Sequence, residues 1–171
     1  MRRGGILNGQ LSRALSEVGH GDVLIVCDAG FPIPREAWRI DLALTRDLPP
    51  LAPVLEAISA ELIVEQVYHA SAIPYANRAL YEDLVRIFPE AELSAVAPEY
   101  IRNDLALRAK AIVRTGAYNP WGNIALVGGT DMFEWLDEPS DLLPHLDDPE
   151  VRAFFERRIQ RLARSRTSTG A

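Results

Sequence analysis

Apolar positions along the chain fall into two alternating kinds of run. Leu7, Leu11, Leu15 and Val18 recur at helical spacing around Asn8, a residue type that caps helix starts, and Gly19 closes the run. Val23–Cys27 is then an unbroken apolar stretch, rich in β-branched residues and bounded by turn formers, which predicts a buried strand. The alternation continues with a helix on Leu51, Val54, Leu55 and Ile58, a strand over Ile63–Tyr68, and a helix over Ala76–Phe88 that stops at Pro89. A weaker strand over Glu92–Val96 precedes a helix from Pro98 through Arg108, a strand over Ala111–Arg114, and a last strand over Asn123–Val127 closed by Gly128 and Gly129. The stretch from Gly30 to Leu48, with Pro32, Pro34 and Arg39-Ile40-Asp41, reads as a loop. Strands alternating with helices predict an α/β domain, three layers (α/β/α) around a largely parallel central sheet, spanning residues 1–130.

Residues 131–171 have a different pattern. Asp131 to Glu150 is an acidic linker, and Asp148-Pro149-Glu150 opens an amphipathic helix with an acidic cap and proline in its first turn. Val151, Phe154, Phe155, Ile159 and Leu162 form its apolar stripe, expected to pack on the domain or on a neighbouring subunit. Arg152, Arg157, Arg158, Arg161 and Arg164 form its basic face. Arg166 to Ala171 reads as a disordered end.

Composition narrows the partners. A net charge of -6 argues against nucleic acid or an anionic membrane surface, which need clustered Lys and Arg. No apolar run approaches a membrane span, and the short run after Arg2-Arg3 is no signal peptide. The one cysteine, Cys27, lies inside a predicted buried strand, which excludes an intrachain disulfide and fits a reducing, cytoplasmic setting.

Little of the chain has the pattern of known chemistry. The histidines His20, His69 and His145 are far apart with no metal-ligand spacing, so no metal is expected. Gly-rich phosphate loops and a nucleophile elbow are both missing, so no nucleotide cofactor is expected either. What remains is acid–base chemistry at the ends of the first strand. His20 sits between two glycines at one end, and Asp28 runs into a Gly/Pro-rich loop at the other. Spacing alone leaves open that Asp28 caps the loop and that His20 merely follows a helix C-cap. Trp121-Gly122-Asn123 sets an aromatic face beside an amide, a pairing that suits sugar C–H faces and hydroxyl pairs, and equally suits a packing anchor beside a turn residue.

In order and spacing these segments resemble the D-ribose pyranase / L-fucose mutarotase family. The resemblance is carried by Gly4-x-x-Leu7-Asn8, Gly19-His20-x-Asp22, Cys27-Asp28-Ala29-Gly30-x-Pro32-Ile33-Pro34, Arg39-Ile40-Asp41-x-Ala43-Leu44-Thr45, Ile112-Val113-Arg114-Thr115-Gly116 and Gly122-Asn123-Ile124. The Pro-Ile-Pro and Arg-Ile-Asp segments are nearer the ribose branch. The resemblance implies a cofactor-free sugar isomerase that assembles as a ring-shaped homo-oligomer, often a decamer, with a monosaccharide as substrate. It implies His20 as general acid/base and Asp28 and Asn123 as sugar ligands. Trp121 stands where the family has a tyrosine, keeping a stacking face without the hydroxyl. Glu99 stands where the ribose branch has a sugar-binding histidine and the fucose branch an arginine. Either the sugar differs, or Glu99 is a base, or Tyr100 or Arg102 substitutes. The other functions to be weighed are a mutarotase for L-fucose or another aldose, and a non-catalytic sugar-binding or interaction module.

One distance bears on assembly. At ~3.3 Å per residue, an extended Asp22–Cys27 sets its two ends about 20 Å apart, several times the width of a pentose. His20 and Asp28 of one chain are then expected to serve different sugars, each site being shared across a subunit interface.

Overall fold

The computed structural model describes residues 3–169, with side chains described up to Arg164. Asn8 caps α1 (Gly9–Glu17) by accepting from the Leu11 N–H at 2.9 Å, and β1 (Val23–Cys27) follows with all five residues buried. Next come β2 (Arg39–Asp41), α2 (Leu51–Ser59), β3 (Val64–Ala70), α3 (Ile73–Ala76), α4 (Arg78–Ile87) and β4 (Glu92–Val96). The helical segment 98–108 is built from α5 (Pro98–Tyr100), a π-helical turn (Ile101–Leu105) and α6 (Ala106–Arg108). It leads to β5 (Ala111–Arg114) and β6 (Ile124–Gly128), then α7 (Met132–Trp135), a 3-10 helix (Pro139–His145) and α8 (Pro149–Thr169).

The six strands form one sheet in the order β2-β5-β1-β6-β3-β4. Five run in one direction, and β6 is antiparallel to both of its neighbours. A parallel strand needs a crossover of a dozen or more residues, and the connection 115–123 is shorter, so β6 returns in the opposite sense. One face of the sheet is covered by α1, α2 and α4, where Leu11, Leu55, Ile58 and Leu84 pack against Leu24, Val26, Val113 and Leu126. The other is covered by the helical segment 98–108 and Phe31, packed on Ile25, Cys27, Ile112 and Ala125. Coverage on both faces explains why β1, β5 and β6 read as continuous apolar runs rather than alternating ones.

Three expectations change. Arg39-Ile40-Asp41 is an edge strand rather than loop; only Ile40 of the three is buried, too little pattern to mark it from sequence. Asn77 breaks the predicted Ala76–Phe88 helix into α3 and α4, capping the second by accepting from the Leu80 N–H at 3.4 Å. The expected disordered end from Arg166 is helical to Thr169; Gly170 and Ala171 lie outside the described residues.

Candidate active site

The carboxyl ends of the five parallel strands and the start of β6 share one rim of the sheet, where an α/β fold presents loops to a ligand. Asp28 is the first residue past β1. Its N–H donates to Asn123 Oδ1 at 3.2 Å across the β1–β6 boundary, and its Oδ1 accepts from the Gly30 N–H at 2.8 Å. Burial pushes the Asp28 carboxyl above its ordinary value, against hydrogen bonds from Gly30, Asn123 and Phe31 that favour its charge. Asn123 is therefore a clamp on Asp28, its side chain engaged with both the backbone and the carboxylate.

Arg114, at the end of β5, donates through Nε to the Ala29 carbonyl at 3.0 Å and through Nη1 to Asp41 at 3.1 Å. The loop 115–123 is fixed at several points. Thr115 Oγ1 donates to the Cys27 carbonyl at 2.9 Å, Ala29 N–H to the Ala117 carbonyl at 2.9 Å, and Tyr118 N–H to Asp47 at 2.8 Å. Asn77 donates to Asn119 and, at 2.9 Å, to the Pro120 carbonyl. Between this loop and the Asp28 turn lies an open cleft of about 330 Å³, lined by Asp28, Gly30, Arg114, Tyr118 and Asn119 among others. Its acceptor, its guanidinium and its aromatic ring suit a small polyhydroxylated ligand. Trp121 caps the same loop in the left-handed region, at φ 56°, with 41% of its surface exposed.

His20 lies at the opposite rim. The turn 19–22 is bound to the end of β6, with Gly21 N–H donating to the Gly128 carbonyl at 2.8 Å and Gly128 N–H to the Asp22 carbonyl at 2.9 Å. A Cβ on Gly128 would come within 2.7 Å of the Gly19 carbonyl oxygen, so the approach requires glycine. The half-exposed His20 ring places Nε2 3.1 Å from Glu65 Oε2. Because β1 separates them, His20 and Asp28 of one chain do not meet.

Glu99 also stays outside the Asp28 cleft. It is exposed in α5, beyond β4, three strands from β1 or about 14 Å at ordinary strand spacing. Of the remaining candidates, His69 is buried against Tyr81 with Nδ1 3.0 Å from the Ala70 carbonyl oxygen, and His145 is exposed. The Cys27 thiol is pushed up to about 12 by burial and the neighbouring Asp28 charge, which leaves it an unreactive core group. Among the described residues no group of three His, Cys, Asp or Glu side chains converges as a metal site.

Sequence reasoning passed over Arg114, Tyr118 and Asn119 as cleft residues, and Glu65 altogether. Glu65 had a signal, an acid inside the apolar run that forms β3, where a charge without a partner is costly.

The chain belongs to the RbsD / FucU transport protein family, whose profile matches residues 1–131. It is 46% identical over 144 residues to D-ribose pyranase 2 of Rubrobacter xylanophilus, covering 84% of this chain and 94% of that protein. The same identity relates it to D-ribose pyranase 1 of Streptomyces griseus over 144 residues, 84% of this chain and 95% of that one. Among solved structures it is similar to Bacillus subtilis RbsD complexed with D-ribose, with a TM-score of 0.72 and 34% identity, covering 77% of this chain and 99% of that chain. The fucose mutarotase of Streptococcus pneumoniae, solved with L-fucose, shares the fold at a TM-score of 0.59 and 18% identity, over 73% of this chain and 94% of that one.

Proposed function

We propose that this protein is a D-ribose pyranase, an isomerase that interconverts pyranose and furanose forms of D-ribose by acid–base ring opening. The observation that carries the reading is the clamped, half-buried Asp28 beside an open polar cleft, in a chain whose relatives at 46% identity are named D-ribose pyranases. Ring opening needs a proton delivered to the ring oxygen and a proton removed from the anomeric hydroxyl; the C1–O bond to the ring breaks and a free aldehyde forms. Rotation and attack by the 4-hydroxyl instead of the 5-hydroxyl then closes the furanose, with the two proton transfers reversed. Positioned proton transfer is worth ~10²–10⁴-fold, enough for a reaction that water already performs slowly.

His20 is the acid/base group, Asp28 accepts from a sugar hydroxyl pair, Asn123 holds Asp28 in place, and Trp121 offers an apolar face to the sugar. Glu99, exposed at the same rim, is given no step. The assembly is a homo-oligomer in which His20 of one subunit faces the Asp28 cleft of another. Two observations support this. His20 and Asp28 occupy opposite rims, and the Asp28 rim carries exposed Leu44, Tyr75, Tyr118 and Trp121, large side chains that a neighbouring subunit would cover. The matched family span supports residues 1–131 as the isomerase domain; the setting proposed for it is the cytoplasm.

The test is exchange NMR between pyranose and furanose signals of D-ribose. The wild type should accelerate exchange, and His20→Ala should lose on the order of 10²-fold of that acceleration. Binding without acceleration would make the protein a sugar-binding module, and acceleration with L-fucose alone would make it a mutarotase of the other branch.

A further inference from the structure

The chain continues past the family match at residue 131 into α7, the 3-10 helix and α8. Part of the basic face of α8 is turned toward the domain. Arg157 and Arg161 both reach Glu92 at 3.1 Å, and Arg158 is only 1% exposed. Gly129 makes the space for it, since a Cβ there would come 2.8 Å from Glu65 Cβ and 2.9 Å from Arg158 Nη2. Arg158 Nη2 donates to the Thr130 carbonyl at 2.6 Å, and Nε lies 3.8 Å from Glu65 Oε2. Neither Nε nor Nη1 has a hydrogen-bond partner among the described residues. A guanidinium buried with donors unmatched is costly, and the carboxylate beside it is the compensation. That same Glu65 oxygen is the one 3.1 Å from His20 Nε2.

We propose that Arg158 is a positioning residue for proton transfer at His20: it fixes the Glu65 carboxylate beside the imidazole, which makes α8 part of the proton-transfer site. The proposal rests on the reading of His20 as the acid/base group. An ionised carboxylate only accepts, so Glu65 held 3.1 Å from Nε2 puts the imidazole hydrogen on that nitrogen and leaves Nδ1 as the nitrogen that meets the sugar. The other charges facing this line are Asp22 with Lys110, 3.2 Å apart, and Asp131, Glu90 and Arg161 around the guanidinium.

Arg158→Met keeps an apolar stem of similar length and removes the cation, and Arg158→Lys keeps the charge. Arg158 Nε lies no more than about 7 Å from His20 Nε2, so its loss should raise the His20 titration midpoint, followed by NMR of the ring, by on the order of one pH unit. The pH profile of sugar exchange should move the same way, with kcat reduced roughly 10-fold and KM within about two-fold, while Arg158→Lys restores the profile toward wild type. A folded Arg158→Met with the wild-type His20 titration overturns the proposal. Should that variant not fold, the wild type still decides. The Arg158 Nε–H resonance is expected to shift with the His20 midpoint, and a resonance flat across that range overturns the coupling. The titration is read without turnover, so a His20→Ala protein that keeps full activity would sink the acid/base reading and leave the Arg158–His20 coupling separately measurable.

Discussion

Asp28 holds its charge where burial opposes it. Because its carboxyl is raised in the folded protein, the stability it contributes is present below its ordinary value of 3.8 and is lost as pH rises through the higher folded value. Asp28→Asn can keep the Gly30 hydrogen bond through its amide oxygen and removes the buried charge. The variant's melting temperature relative to wild type should therefore climb as pH increases from about 4 and then level off, while kcat/KM for D-ribose falls on the order of 10²-fold. A melting difference that stays flat from acid to neutral pH would show that the carboxylate is not strained. Asp28 was visible from sequence because a polar residue follows an apolar run into a glycine loop. The work of Asn123 was not. Its amide reads as a free sugar ligand until β6 is seen beside β1, where it becomes the partner of Asp28.

At the scale of elements, periodicity located α1, β1, α2 and β5 because each has an apolar face wide enough to count, and it marked β4, where no residue is fully buried, only weakly. It gave no sign of β2, which buries one side chain, and it could not assign β6 a direction, since apolar pattern is the same either way along a strand. For α8 the pattern separated the apolar stripe from the basic face but could not say which arginine is buried. Charge pairs join the stripe in docking the helix: Leu162 is buried and Val151 is 41% exposed, while Arg158 is buried beside Glu65. Glu92 anchors it. Burial works against the Glu92 charge, but hydrogen bonds from Arg157 and Arg161 outweigh it and hold the carboxyl below 4.5. The docking they supply is present above that value and is lost as pH falls through the lowered one. Glu92→Gln should thus speed amide hydrogen exchange over 149–164 at neutral pH with the sheet strands unchanged, and the difference from wild type should shrink on acidification. Equal protection in both proteins at neutral pH would mean that the apolar stripe alone secures α8.

At the scale of the molecule, one strand sets the problem. β1 carries His20 before it and Asp28 after it, and its buried length keeps them on opposite rims. The length of that strand is legible in the sequence, and the proposal of a shared site follows from it; the line from His20 through Glu65 to α8 is not legible, because it depends on three segments far apart in the chain. The proposed chemistry therefore depends on sites shared between copies. The direct test mixes His20→Ala and Asp28→Asn proteins, each reduced on the order of 10²-fold alone, after dissociation and reassembly into verified mixed oligomers. If the two residues serve one sugar from different subunits, random mixing rebuilds intact sites at about a quarter of positions, and pyranose–furanose exchange should return to that fraction of wild type. No recovery in verified mixed oligomers would contradict the shared site.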